Sequence, residues 1–311
     1  MGKIAFLFAG QGAQYTGMGR ELYEHSQAAA QIFHTADSIR PDTSVQCFSG
    51  DADILSMTIN TQPCIFAVDL AAAEALREAG VMCDCTAGLS LGEIAAVTFA
   101  GGLSVSDGFR LVCDRAECMA KTSENNRALM AAVLKLEDRK VEEIAARYRH
   151  IYPVNYNCPG QLIVSGAPDE MELFRNDIKS EHGRYVELPV SGGFHSPFMD
   201  SAASSFSDIL TKYDFKKSNI DIYSNYTSDK YIHHDIKTLL TRQINSPVKW
   251  QKIIENMISD SVDTFIECGP GTALTGFVTK ISMAMNKNVR ILNVSDHESL
   301  RKTLEALDAE T

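Results

Sequence analysis

Gly88-Leu89-Ser90-Leu91-Gly92 sets a serine between two glycines in a G-x-S-x-G pattern. An apolar, strand-like run over 85–89 leads into it, and a helix-like run over 92–100 leads out. That context is a nucleophile elbow: a tight strand-to-helix turn that exposes the serine hydroxyl and aims the next N–H, from Leu91, at a developing oxyanion. A chance Gly-Ser-Gly turn is the plainer alternative, and the flanking pattern argues against it. A serine nucleophile needs a base, and 8 histidines compete for that role. Seven fall in polar helical segments, at helix ends or in a charged turn. His195, in Ser191-Gly-Gly-Phe-His-Ser-Pro-Phe198, lies where a small domain returns to a large one, and clefts between domains are where ligand sites concentrate. Spacing identifies no acid partner, so a Ser–His dyad oriented by a backbone carbonyl and a full triad both stay open.

Two more groups bear on the same chemistry. Gly10-Gln11-Gly12 follows the first strand; Tyr15 stands at the third glycine of a dinucleotide fingerprint, so nucleotide binding is disfavoured. The Gln11 N–H is instead a second oxyanion donor. Arg115 sits beside the apolar stripe Val105, Phe109, Val112, Ala116 and Met119. It reads either as an arginine snorkelling at a helix boundary or as a fork for a carboxylate in a dry cleft. Glu93 suits a helix first turn on dipole grounds alone. Met119 and Met130 suit core filling or a deformable acyl pocket.

The elements that must position these groups alternate. Strand-like runs at 4–9 and 85–89 are separated by amphipathic stretches at 20–40 and 62–79, and a helix capped by Ser104 runs to about 122. The middle reads 128–136 strand, 137–148 helix, 152–157 and 161–166 strands, 168–181 helix, 184–189 strand. That order is βαββαβ, a ferredoxin-like unit. Strands at 220–224, 264–268 and 289–294 and a closing helix at 297–307 resume the alternation. An α/β architecture follows: a large domain from 1–126 and 195–311 around a mainly parallel sheet, with a small domain inserted at 127–194.

The chain has 311 residues, enough for a sizeable core, and 29 Lys+Arg against 40 Asp+Glu, a net charge of −11. That field argues against binding to nucleic acid or anionic membranes. No run approaches the ~20 apolar residues of a membrane span. Eight scattered cysteines without a C-x-x-C pair read as free thiols, with neither metal nor disulfide implied. His233-His234-Asp235 lacks the spacing of a helical metal site and reads as a solvated helix entry. A cytoplasmic monomer is expected.

In order along the whole chain, FAGQGAQYTGMG, Thr61-Gln-Pro63, GLSLGE, Arg115, NYNCPGQLIVSG, GGFHSPFM, RQINSPVKW and ECGPGTALTG resemble the malonyl-CoA:acyl carrier protein transacylases, relatives of the acyltransferase domains of polyketide and fatty-acid synthases. The resemblance implies an α/β-hydrolase-like large domain with a ferredoxin-like insert. It implies Ser90 as the acylated nucleophile, His195 as base, and Gln11 and Leu91 N–H groups as the oxyanion hole. It implies Arg115 as partner of the malonyl carboxylate, and Gln243 as the residue whose backbone carbonyl holds the histidine. Asn155, Met119, Met130 and Phe194 fall at pocket positions, Phe194 in the malonyl-selecting form. Leu89 stands where many members carry histidine. Malonyl-CoA and an acyl carrier protein are the implied partners, with no cofactor. An acyl-thioester hydrolase gains nothing from Arg115; a non-catalytic acyl-CoA or nucleotide binder has no use for the serine elbow with a cleft histidine. Lys212, Lys216 and Lys217, and Arg242, Lys249 and Lys252, are the candidate docking groups for the two anionic substrates.

Overall fold

A computed structural model describes residues 2–190 and 192–309. Ser191, the first residue of the SGGFHSPF stretch, lies outside the described residues, as do Met1, Glu310 and Thr311. In chain order the strands are β1 (Lys3–Phe8), β2 (Cys85–Gly88), β3 (Leu129–Leu134), β4 (Ile151–Cys158), β5 (Gln161–Gly166), β6 (Arg184–Glu187), β7 (Asp221–Ile222), β8 (Val262–Cys268) and β9 (Arg290–Val294). Five of them form a parallel sheet in the order β7-β2-β1-β8-β9. The other four form an antiparallel sheet in the order β4-β5-β3-β6.

β1 is central to the larger sheet and apolar on both faces, as a strand covered by helices on both sides must be. Ile4, Phe6 and Phe8 point into one core with Phe33, Phe66 and Phe99. Ala5 and Leu7 point into the other with Trp250, Ile254, Met257 and Val278. Each buried Leu or Phe of this kind contributes about 1.5–3 kcal/mol. The helix Thr58–Glu78 is buried on nearly every face, which its alanine-rich sequence permits. Among the described residues no helix is long and apolar enough to cross a membrane.

The smaller sheet follows period 2 between two different neighbours. Ala131, Val133, Leu162 and Val164 pack on its own helices, Asp138–Ala145 and Pro168–Ser180, through Val141, Ile144, Phe174 and Ile178. Met130, Ala132, Val154 and Ile163 face the core of the larger sheet. The backbone ties the two sheets together where Tyr156 N–H donates to Val248 O at 3.0 Å and Val248 N–H to Val154 O at 2.8 Å.

Two local expectations are revised, and two helices appear where the sequence pattern assigned no element. The stretch 20–40 is two helices, Arg20–His25 and Gln27–Ile39, because Ser26 leaves helical geometry and its Oγ caps the second by accepting from Ala29 N–H. Residues between this pair and Thr58 form two further short helices, Thr43–Ser49 and Ala52–Ser56, the latter capped by Asp51. The strand expected at 220–224 pairs in the sheet only at Asp221 and Ile222, and the chain beyond turns toward the elbow.

Candidate active site

The C-terminal ends of β1, β2 and β8 open on one crevice, where parallel α/β sheets place ligands. After β2 the chain turns through Leu89, whose N–H donates to Phe8 O at 3.0 Å, and enters the helix Gly92–Phe99. Side chains are excluded at both flanking glycines. A Cβ on Gly88 would fall 1.9 Å from Gly92 O, and one on Gly92 would fall 2.4 Å from Phe8 O. Ser90, at the apex, has φ 57°, a left-handed conformation costing about 1–2 kcal/mol in a residue with a Cβ. Asn225 offsets it. Its Oδ1 accepts from Ser90 N–H at 2.7 Å and its Nδ2 donates to Gly88 O at 2.7 Å, clamping the turn from both sides.

His195 also has a positive φ, 61°, and its backbone N–H donates to Ile244 O at 3.2 Å. Its Nε2 lies 2.7 Å from Ser90 Oγ, and its Nδ1 lies 2.7 Å from Gln243 O. A carbonyl oxygen only accepts, so Nδ1 carries the proton and Nε2 offers a lone pair to the serine hydroxyl. Burial and the charge of Arg115 hold the imidazole down at about 3, with the Gln243 bond opposing, so it is neutral. Among the described residues no carboxylate touches it, which leaves the dyad with a backbone carbonyl of the two alternatives.

Arg115, on the helix Val105–Asn125, is 1% exposed and does not reach the surface. Its Nη1 donates to Gln62 Oε1 at 2.7 Å, and its Nη2 to Gln243 Oε1 at 2.9 Å and Ser90 Oγ at 3.1 Å. Among the described residues its buried Nε makes no hydrogen bond. Burial removes the snorkelling alternative and sets the guanidinium against the Ser90 hydroxyl. Burial lowers Arg115 to about 10, the nearby Glu93 opposing, and it remains a cation.

Before Ser90 opens a cavity of ≈ 230 Å³ whose lining includes Gln11, Met119, Met130, Asn155 and Phe194. All five sequence candidates thus share one wall system with Ser90 and His195. Leu91 is fully buried behind the serine. Among the described residues the backbone N–H groups of Gln11 and Leu91 donate to no protein acceptor. Of the basic docking candidates, none lines the cavity; Lys252 pairs with Glu255, and Lys249 lies over Tyr226.

The sequence pattern left Asn225 and Tyr231 unseen and treated Glu93 as a helix-end charge. A signal for Asn225 existed: it follows β7 at the ligand-bearing end of the sheet. Asn225 and Tyr231 both converge on Glu93.

Similarity to known proteins follows the same residues. The acyl transferase domain model matches residues 5–297. The malonyl CoA-acyl carrier protein transacylase of Bacillus subtilis is 37% identical over 100% of this chain and 99% of its own length. The chain belongs to the malonyl CoA-acyl carrier protein transacylase family. The Synechocystis member is 32% identical over 92% of this chain and 97% of its own. Among solved structures, the Clostridium perfringens transacylase superposes with a TM-score of 0.94 at 39% identity, covering 99% of this chain and 98% of that one. A malonyl-transacylase solved in complex with a type II PKS acyl-carrier protein superposes with a TM-score of 0.92 at 27% identity, covering 98% of this chain and 99% of that one. The family is an acyltransferase family, and the α/β fold with its separate antiparallel sheet is the family's fold.

Proposed function

We propose that this protein transfers a malonyl group from CoA to the phosphopantetheine thiol of an acyl carrier protein through a malonyl-serine ester, in support of fatty-acid or polyketide synthesis. The observation that carries this reading is the 2.7 Å contact of Ser90 Oγ with a His195 whose other nitrogen is bound to Gln243 O, beside a buried Arg115. Neutral His195 takes the hydroxyl proton as Ser90 Oγ attacks the thioester carbonyl. The tetrahedral oxyanion is stabilised by the N–H groups of Gln11 and Leu91, each worth about 2.7–4 kcal/mol on the scale of a typical oxyanion donor. The C–S bond breaks, and His195 returns the proton to the departing CoA sulfur. In the second half His195 takes the proton of the pantetheine thiol, the sulfur attacks the ester carbonyl, and Ser90 leaves as an alcohol with that proton.

Arg115 binds the malonyl carboxylate, exchanging its bond to Ser90 Oγ for charge-assisted bonds to the substrate. Met119, Met130, Asn155 and Phe194 shape the acyl pocket, and Gln243 holds the base. The reading needs no cofactor. A monomer built from 1–126 and 195–311 with 127–194 inserted is the unit we assign to this activity, located in the cytoplasm and acting on neither nucleic acid nor membranes.

Incubation with malonyl-CoA, then with a holo acyl carrier protein, tests the reading by intact mass. A malonyl adduct should appear on the enzyme, move to the carrier, and vanish in Ser90→Ala. An adduct that persists in Ser90→Ala, or rapid release of free malonate without carrier loading, overturns transfer, the latter in favour of a hydrolase.

A further inference from the structure

Glu93 is fully buried on the first turn of the helix behind Ser90. It accepts three hydrogen bonds, two from the loop after β7 and one from the helix Ile236–Asn245. Its Oε1 takes Asn225 N–H at 2.9 Å and Tyr231 Oη–H at 2.6 Å, and its Oε2 takes Gln243 Nε2–H at 2.7 Å.

The consequence lies in Gln243. Its Nε2 spends one hydrogen on Glu93 and the other on Ser90 O at 2.6 Å, which leaves Oε1 to accept from Arg115 Nη2 at 2.9 Å. An ionised carboxylate only accepts and a guanidinium only donates. Between them the Gln243 amide has a single allowed orientation. The same residue's carbonyl holds His195 Nδ1, and Asn225, bound to Glu93 through its N–H, clamps the elbow.

We propose that Glu93 is the positioning residue of this site: as an acceptor-only carboxylate it orients Gln243 and seats Asn225, and through them aligns Ser90, His195 and Arg115 for transfer. This rests on the transferase reading above. Glu93 touches no substrate and acts only through its neighbours. The groups facing it are Arg115 from the helix Val105–Asn125, Tyr231 from the loop after β7, and the amides of Asn225 and Gln243. Burial raises Glu93 to about 7, with the bonds from Tyr231, Asn225 and Gln243 and the charge of Arg115 opposing. Protonation puts a donor against the Gln243 amide, inverts it, and turns an N–H toward Arg115. Activity therefore requires the ionised form.

The test is the pH profile of kcat/KM for malonyl-CoA in wild type, Glu93→Gln and Tyr231→Phe. Wild type should show an acid limb near 7, a limb that His195, held down at about 3, does not supply. Tyr231→Phe removes a bond that favours the carboxylate and should move the limb to higher pH. Glu93→Gln presents an NH₂ to Gln243; transfer should fall about 10- to 100-fold at pH 8, as for displaced reacting groups. The limb should disappear, with malonyl transfer losing more than acetyl transfer. Labelling of Ser90 by a fluorophosphonate counts intact sites, since a merely structural role would lower that count equally for both acyl groups and leave the limb in place. An unshifted limb in Tyr231→Phe, or a retained limb or wild-type rate in Glu93→Gln, overturns the proposal. If Glu93→Gln does not fold, the Tyr231→Phe shift decides alone. Absence of any malonyl-Ser90 adduct in wild type would instead sink the transferase reading.

Discussion

The two sheets bound the same cavity but contribute to it in different chemical terms. The parallel sheet's turns and the helices packed on it supply Ser90, His195, Arg115, Gln243 and Glu93, which are joined by hydrogen bonds of 2.6–3.1 Å. The antiparallel sheet supplies Met130, Ile163 and Asn155, which line the cavity without joining that network. Buried polar groups must be satisfied by partners in fixed geometry, so the polar half of the site tolerates little change. Apolar walls are held by contact area, which redistributes when one side chain shrinks. On the proposed reading, reactivity resides in the first region, and the second joins Met119 and Phe194 in shaping the acyl pocket.

Substitutions in the two regions should separate on that line. Ser90→Ala or His195→Ala should lower malonyl transfer by about 10⁴-fold or more, read in a carrier-loading assay, with folding unchanged by circular dichroism. Arg115→Ala breaks the carboxylate pair at a cost of about 2–5 kcal/mol, roughly 30- to 4,000-fold for malonyl-CoA. Acetyl-CoA should lose less, through the lost bonds to Ser90 and Gln243 alone, and an equal loss for both substrates would remove Arg115 from carboxylate recognition. The same variant takes away a charge that depresses His195. Its imidazole pKa, followed by NMR, should rise from about 3 toward the ordinary 6.5. Met130→Ala, on β3, should change rates by at most about 10-fold, with bulkier acyl groups gaining relative to malonyl. A loss as large as that of Arg115→Ala would erase the division between the regions.

The smallest effect is on stability and lies away from the network. Asp69 is fully buried on the helix Thr58–Glu78, and among the described residues neither carboxyl oxygen makes a well-formed hydrogen bond, although the Ala9 backbone N–H favours its charged form. Burial raises its carboxyl well above the ordinary range. The folded chain thus keeps a proton that the unfolded chain releases above about pH 3.9, and stability drops as pH rises through that window. Asp69→Asn removes the dependence. Its unfolding free energy relative to wild type, from denaturant titration, should climb between pH 5 and pH 8 toward a difference of about 1–3 kcal/mol; a pH-independent difference would show that Asp69 does not titrate on unfolding. Glu93, equally buried but with three donors, marks the contrast between a carboxylate that organises a site and one that only weighs on the fold.

Local pattern carried the elbow, the βαββαβ order, Ser90, His195 and the loop N–H groups of Gln11 and Leu91, because each lies in a short stretch with its own structural context, while Gln243 and the carboxylate role of Arg115 came only from the resemblance of the ordered motifs to a family. Patterning was weaker where a single side chain breaks an element. Ser26 splits one amphipathic stretch by capping a second helix, and periodicity runs straight across that break. Reading Arg115 as boundary or interior was beyond periodicity as well, since the stripe beside it is the same in both cases.

Glu93, Asn225 and Tyr231 are a different matter. Their bonds span 132 and 138 residues, and the Glu93–Gln243 bond spans 150. The sequence by itself determined which groups could react: a serine on a tight turn, a histidine where a small domain rejoins a large one, and an arginine beside an apolar stripe. Only the tertiary structure decided how those groups are held, because an acceptor-only carboxylate orients an amide when burial removes the competing water, and burial is a property of the packed chain.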